Sequence, residues 1–102
     1  MPEFTNVLSG MDGDRRLKHD EMVRAIRFAV AAEYEAVQMY RQLAHSIDDE
    51  KAIAVLNEVS EEELVHAGEF LRLLKEISPN EERLYALGSR EVEQIWSRLP
   101  KG

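Results

Sequence analysis

From His19 to Ser46 the chain contains neither glycine nor proline, and apolar residues recur at Met22, Ile26, Ala29, Val30, Ala36, Val37, Tyr40, Leu43 and Ala44. This stretch constrains the fold more than any other. Its spacing is that of one long amphipathic helix, whose apolar stripe needs a partner along its whole length. The partner follows at once. Ser46-Ile47-Asp48-Asp49 puts side-chain oxygens and negative charge where a new helix N-terminus has free backbone N–H groups, so the chain turns there. The second helix runs to about Ile77, with Leu56, Val59, Phe70, Leu73 and Ile77 at alternating spacings of three and four.

Ser78-Pro79-Asn80-Glu81 offers an N-cap, a proline at the first helical position and a capping-box glutamate, which stop one helix and start another. Gly88 is expected to close this short helix as a left-handed C-terminal residue. Ser89 would then cap a last short helix carrying Val92, Ile95, Trp96 and Leu99, ended by Pro100. No segment alternates as a strand does, and nothing repeats at a solenoid period. The expected fold class is all-α: a long antiparallel two-helix hairpin plus short C-terminal helices. Residues 19–102 form its one domain, behind a polar, glycine-punctuated arm at 1–18 expected to be flexible.

Composition narrows the chemistry. A net charge of −7, with no run of Lys and Arg able to neutralise a phosphate backbone, argues against nucleic acid and in favour of cations. The absence of cysteine excludes disulfides, thiol catalysis and cysteine-held iron. No apolar run has the length of a signal peptide or a membrane span, so a cytoplasmic location without membrane contact is the expectation.

The second helix's seam, followed through its gap, passes through positions 63 and 66, which are Glu63 and His66. On the first helix Glu33 sits between Ala29-Val30 and Ala36-Val37. Three polar groups thus interrupt apolar stripes, and burying an ionised carboxylate without a partner costs several kcal/mol, about the net stability of a small domain. In an antiparallel hairpin turning near Asp48, residues 33 and 63 are equally far from the turn, so the two glutamates come out level. His66 lies one helical turn from Glu63. No Lys or Arg shares either stripe near them, which leaves a bound cation as the neutraliser. A lone Glu-x-x-His is weak evidence for metal; here both letters fall on the seam, opposite a level-matched glutamate.

Two helices cannot enclose a core. The smallest closed solution is a four-helix bundle made from two hairpins about a two-fold axis, completed by homodimerisation. Doubling Glu33, Glu63 and His66 gives four carboxylates and two imidazoles, the ligand set of di-iron and di-manganese carboxylate proteins. Two divalent cations would neutralise that pocket.

The stretches Glu33-Tyr34-Glu35-Ala36-Val37-Gln38-Met39-Tyr40 and Glu61-Glu62-Glu63-Leu64-Val65-His66-Ala67-Gly68-Glu69-Phe70 resemble the first- and second-helix motifs of the encapsulated-ferritin family, within the ferritin-like and rubrerythrin group. The likeness spans about Met22 to Trp96. It is similar in particular to ferritin-like domains fused to the shell protein of some archaeal encapsulins. The resemblance implies a ferroxidase centre at a dimer interface. It would oxidise Fe(II) with dioxygen at two irons per interface, in dimers that assemble into a ring, a decamer, with an encapsulin shell as further partner. It assigns Glu33, Glu63 and His66 as metal ligands, Tyr40 as an aromatic beside the site, and Glu35 as an acidic residue holding metal at the entrance. Ala32 stands where many members carry a second entrance acid.

Simpler roles stand beside these. By spacing alone Tyr40 is a core aromatic, and Glu35, Glu61 and Glu62 are solvated helix-face charges. Glu69 could orient the His66 ring or pair with Arg72. Gly68, inside a good helix, suggests close approach of a neighbouring backbone, and His19 and His45 are expected in solvent. The stripe of Trp96, Val92, Ile95 and Leu99 either covers the hairpin or docks neighbouring dimers. Three functions fit the ligands: Fe(II) oxidation, rubrerythrin-like peroxide or oxygen reduction with an external electron donor, and a non-catalytic manganese- or zinc-bridged dimer.

Overall fold

The computed structural model describes residues 15–101. They form three helices: α1 from His19 to His45, α2 from Glu50 to Ile77, and α3 from Pro79 to Ser97. The first fourteen residues, most of the expected arm, lie outside the described residues. Just before α1, Arg15 makes a two-pronged ion pair with Glu21, both bonds at 2.9 Å. The Glu21 carboxylate also accepts from the Lys18 backbone N–H at 2.9 Å, which satisfies one of the helix's free donors.

The turn between α1 and α2 is built as its residues suggest. Ser46 closes α1, donating from its backbone N–H to Leu43 O at 3.0 Å and from its hydroxyl to Gln42 O at 2.8 Å. Asp49 caps α2, its carboxylate accepting from Ala52 N at 3.0 Å. The expected cap at Ser78 is realised differently. Ser78 does precede a helix with Pro79 in its first turn, but its side chain makes no capping bond. Its hydroxyl donates instead to Glu81 at 3.1 Å. Glu81 is drawn away from a capping box by Arg27.

The closest packing of the hairpin lies beside the seam expected from the sequence. The fully buried residues of α1 are Val23, Val30, Val37 and Ala44, one every seven residues. On α2 they are Ser60, Ala67 and Leu74, again seven apart and equally distant from the turn as Val37, Val30 and Val23. Small side chains at 60 and 67 let the backbones approach, and the Ser60 hydroxyl is satisfied within its own helix by Leu56 O at 2.8 Å. Of the expected seam, Leu56, Val59, Glu63, Phe70 and Ile77 are only half-buried, while His66 and Leu73 are exposed. That stripe forms a flank of the hairpin, open on one side. Because Ala67 is 2% exposed, replacing it by Leu should overpack the contact and destabilise the fold by about 1–3 kcal/mol, measurable by urea unfolding.

The C-terminal region departs from expectation in one respect. Two short helices divided at Gly88 were expected; α3 instead runs through Gly88 without interruption. A glycine in a helix interior costs only about 1 kcal/mol relative to alanine, too little to end a helix supported on both sides. None of the residues of α3 is buried, so the alternative that this stripe covers the hairpin is not realised. The radius of gyration is 18.2 Å, against about 13 Å for a compact globule of this length. No helix among the described residues is long and apolar enough to cross a membrane.

Candidate metal centre

α1 and α2 bring together the three residues that interrupt their apolar stripes. One ligand atom each from Glu33, Glu63 and His66 lies within 4.8 Å of the others. His66 Nδ1 stands 3.8 Å from Glu33 Oε2 and 4.0 Å from Glu63 Oε2, too far for hydrogen bonds and suited to a shared ion between them. The two carboxylates are sheltered, with 17% and 20% of their side-chain surface exposed, whereas the imidazole is 47% exposed. The site therefore has a protein-covered floor and an open side.

Within the chain the cluster is incompletely satisfied. Glu33 Oε2 is buried without a hydrogen-bond partner. Its carboxyl is held above the ordinary carboxylate value, first by a hydrogen bond to Glu63, which the pair can make only while one of them carries a proton. Burial and the Glu63 charge add to the effect. A divalent cation would supply what is missing: positive charge for two carboxylates, and a partner for an oxygen that has none. Two oxygens and one nitrogen make a donor set for iron, manganese or zinc.

Of the other residues singled out by sequence, Tyr40 is half-buried two helical turns from Glu33, and Glu35 is exposed. Neither belongs to the three-residue cluster. Arg72 pairs with Glu76 at 3.4 Å rather than with Glu69. A methyl group on Gly68 would meet nothing within 4 Å, so the expected close approach is not made within the chain. His45 is exposed as expected, but His19, also exposed, has a partner: its Nε2 lies 2.9 Å from Ile77 O, tying the start of α1 to the end of α2.

A pairing across the chain that sequence did not suggest joins Arg27 to Glu81, with Nη2 at 2.6 Å and Nε at 3.0 and 3.2 Å from the carboxylate oxygens. A helix turns about 100° per residue, so Glu33 and Arg27 fall on opposite sides of the buried line through Val30. The start of α3 is thus fastened to the flank away from the ligands. On the flank bearing Glu33 and Glu63, His66 remains exposed.

Comparison with known proteins identifies the family. A family model described as Rubrerythrin matches residues 24–97. A ferritin-like–encapsulin shell fusion protein of Pyrococcus furiosus is 32% identical over 82 residues, which are 80% of this chain and 24% of that protein. The encapsulin nanocompartment cargo protein EncC of Myxococcus xanthus is 33% identical over 67 residues, 66% of this chain and 52% of that one. The chain thus spans about a quarter of the first relative's length and half of the second's. The crystal structure of the encapsulated ferritin domain from P. furiosus superposes with a TM-score of 0.78 at 30% identity, covering 84% of this chain and 88% of that one. The match over most of the chain, with the same helical fold, shows that this protein belongs to the rubrerythrin family of ferritin-like proteins.

Proposed function

We propose that the protein is a ferroxidase that oxidises Fe(II) to Fe(III) with dioxygen at a di-iron centre shared between two copies, for iron storage or detoxification. The observation that carries this reading is the buried, unpartnered Glu33 Oε2 beside Glu63 and His66 on the open flank of the hairpin. One chain supplies two carboxylates and one imidazole, half of a di-iron ligand set. A two-fold partner supplies the other half and closes the pocket.

In this reading Fe(II) is the substrate. Each ion gives up one electron, and an Fe(II) pair reduces one dioxygen to hydrogen peroxide with uptake of two protons. Glu33 and Glu63 hold the ions by charge, and His66 adds a neutral nitrogen donor that fixes their position along α2. Oxidation raises the positive charge between the carboxylates, so anionic ligands favour the product ion over the substrate ion. Glu35 is assigned to holding iron at the entrance, and Tyr40 to packing beside the centre.

The relatives' names, one a fusion to an encapsulin shell and the other an encapsulin cargo protein, support a setting for this chemistry inside an encapsulin compartment in the cytoplasm. Dimers assembling there into a ring-like higher oligomer, a decamer, are part of the proposal. The exposed stripe of α3 would join dimer to dimer. The test is direct. Fe(II) added in air should give an Fe(III) absorbance rise far faster than in buffer; a merely structural manganese or zinc clip gives the buffer rate. Oxidation by peroxide but not by dioxygen would instead favour the rubrerythrin-like reductase.

A further inference from the structure

We propose that Arg27, Glu81 and Tyr85 form a polar latch that sets the angle at which α3 leaves the hairpin, and that this angle determines whether assembled copies close into a ring. The second half rests on the assembly reading above; the first stands on the geometry of the chain alone.

A single residue, Ser78, separates α2 from α3, with φ −139° and ψ 68°. No residue of α3 is buried, so apolar packing does not fix its direction. The first turn is held chiefly by Glu81, beside a longer Lys75–Glu82 pair at 4.0 Å. Glu81 accepts three bonds from the Arg27 guanidinium on α1, one from the Tyr85 hydroxyl a turn further along α3, and one from the Ser78 hydroxyl. With 11% of its side-chain surface exposed, Glu81 is the most sheltered charge in the described ion pairs. A carboxylate clasped by a guanidinium in this way is restricted in direction as well as distance. Arg27 and Tyr85 lower the Glu81 carboxyl to about 2, so the clasp stays charged through the neutral and mildly acidic range.

The latch acts on a lever. Trp96 lies fifteen residues beyond Glu81, roughly 22 Å along the helix axis, so a 20° swing at the latch would carry it roughly 8 Å. Trp96 is 61% exposed, in a stripe with Leu84, Val92, Ile95 and Leu99. Copies joined head to tail form a closed ring only when the rotation between neighbours divides a full turn; otherwise they form open chains or mixed sizes. A surface carried on a lever therefore needs its angle fixed.

The absence of cysteine lets a label pair be placed cleanly on the full chain, at Asn57→Cys and Ser97→Cys. Labelled chains diluted into unlabelled ones report the hairpin-to-α3 distance by pulsed dipolar spectroscopy. The parent should give one narrow distribution, Arg27→Gln and Glu81→Gln should broaden it by several Å, and the exchanged pair Arg27→Glu with Glu81→Arg should narrow it again. Sedimentation of the same metal-loaded variants should replace one assembled size by several. Helix content and metal binding, measured alongside, should be unchanged. Equal distance widths in parent and Glu81→Gln would overturn the latch. Broadening without any change in assembled size would overturn its control of closure. A parent chain that stops at a dimer would defeat the assembly reading, independently of the latch.

Discussion

Glu33→Ala, Glu63→Ala and His66→Ala are each expected to abolish metal-stimulated Fe(II) oxidation while leaving the helices intact. Residues that merely support a metal ligand typically cost 10–100-fold on removal, so loss of a ligand itself should lower the rate by more than about 100-fold. Alanine is the best helix former, and all three positions lie inside long helices, so circular dichroism should be unchanged. Stability should move against activity. In the metal-free fold Glu33 is held above its ordinary value of 4.5, which means the fold prefers its protonated form. Its destabilising contribution therefore appears as pH rises through 4.5 and persists at neutrality. Glu33→Ala should accordingly leave the metal-free protein at least as heat-stable as the parent at neutral pH, yet inactive. Wild-type oxidation rates in any of the three variants would remove that residue from the site.

The site was more legible in the sequence than the packing around it. A charged residue inside an apolar period is a conflict that local preferences cannot resolve, and three such conflicts at matched distances from one turn leave few outcomes. Glu33, Glu63 and His66 meet because both helices run unbroken from that turn, and their spacing depends only on the helical rise. The line of closest contact was harder to read. Ser60 and Ala67 carry almost no hydrophobic signal; they are buried because they are small, while larger neighbours such as Phe70 and Leu73 rise at the edge of the groove. The C-terminal region misled for a related reason. Ser78 and Gly88 have the identities of cap and stop residues, but Arg27, more than fifty positions earlier, claims Glu81 for itself. Gly88 remains helical because nothing opposes the continuation of α3. Long-range ion pairs of this kind have no periodicity to announce them.

The assembly should depend on metal, and the hairpin's own geometry is enough to expect it. Each chain carries a net charge of −7, so in the proposed arrangement a metal-free dimer would join two such chains and bring four carboxylates together on its axis. Already within one chain, the neighbouring Glu63 is the leading cause holding the Glu33 carboxyl above its ordinary value. Two divalent ions would cancel the four charges and bridge both hairpins, stabilising such a dimer by mass action. Sedimentation with a chelator should therefore show smaller species than with Fe(II) or a redox-inert divalent ion, and Glu33→Ala should blunt the difference. Acid should lower metal loading as the chelator does. An imidazole must be neutral and a carboxylate ionised to coordinate, so protons compete with metal for the same lone pairs. Metal loading should accordingly fall between pH 7 and about 5. The expectation is specific because the two alternatives predict otherwise. A site contained within one chain would bind metal without any change in mass, and a dimer held by the half-buried flank of Leu56, Val59 and Phe70 alone would keep its mass with or without metal. At neutral pH, a mass distribution indifferent to chelator would count against a centre shared between two chains, whatever the single-site variants do to oxidation.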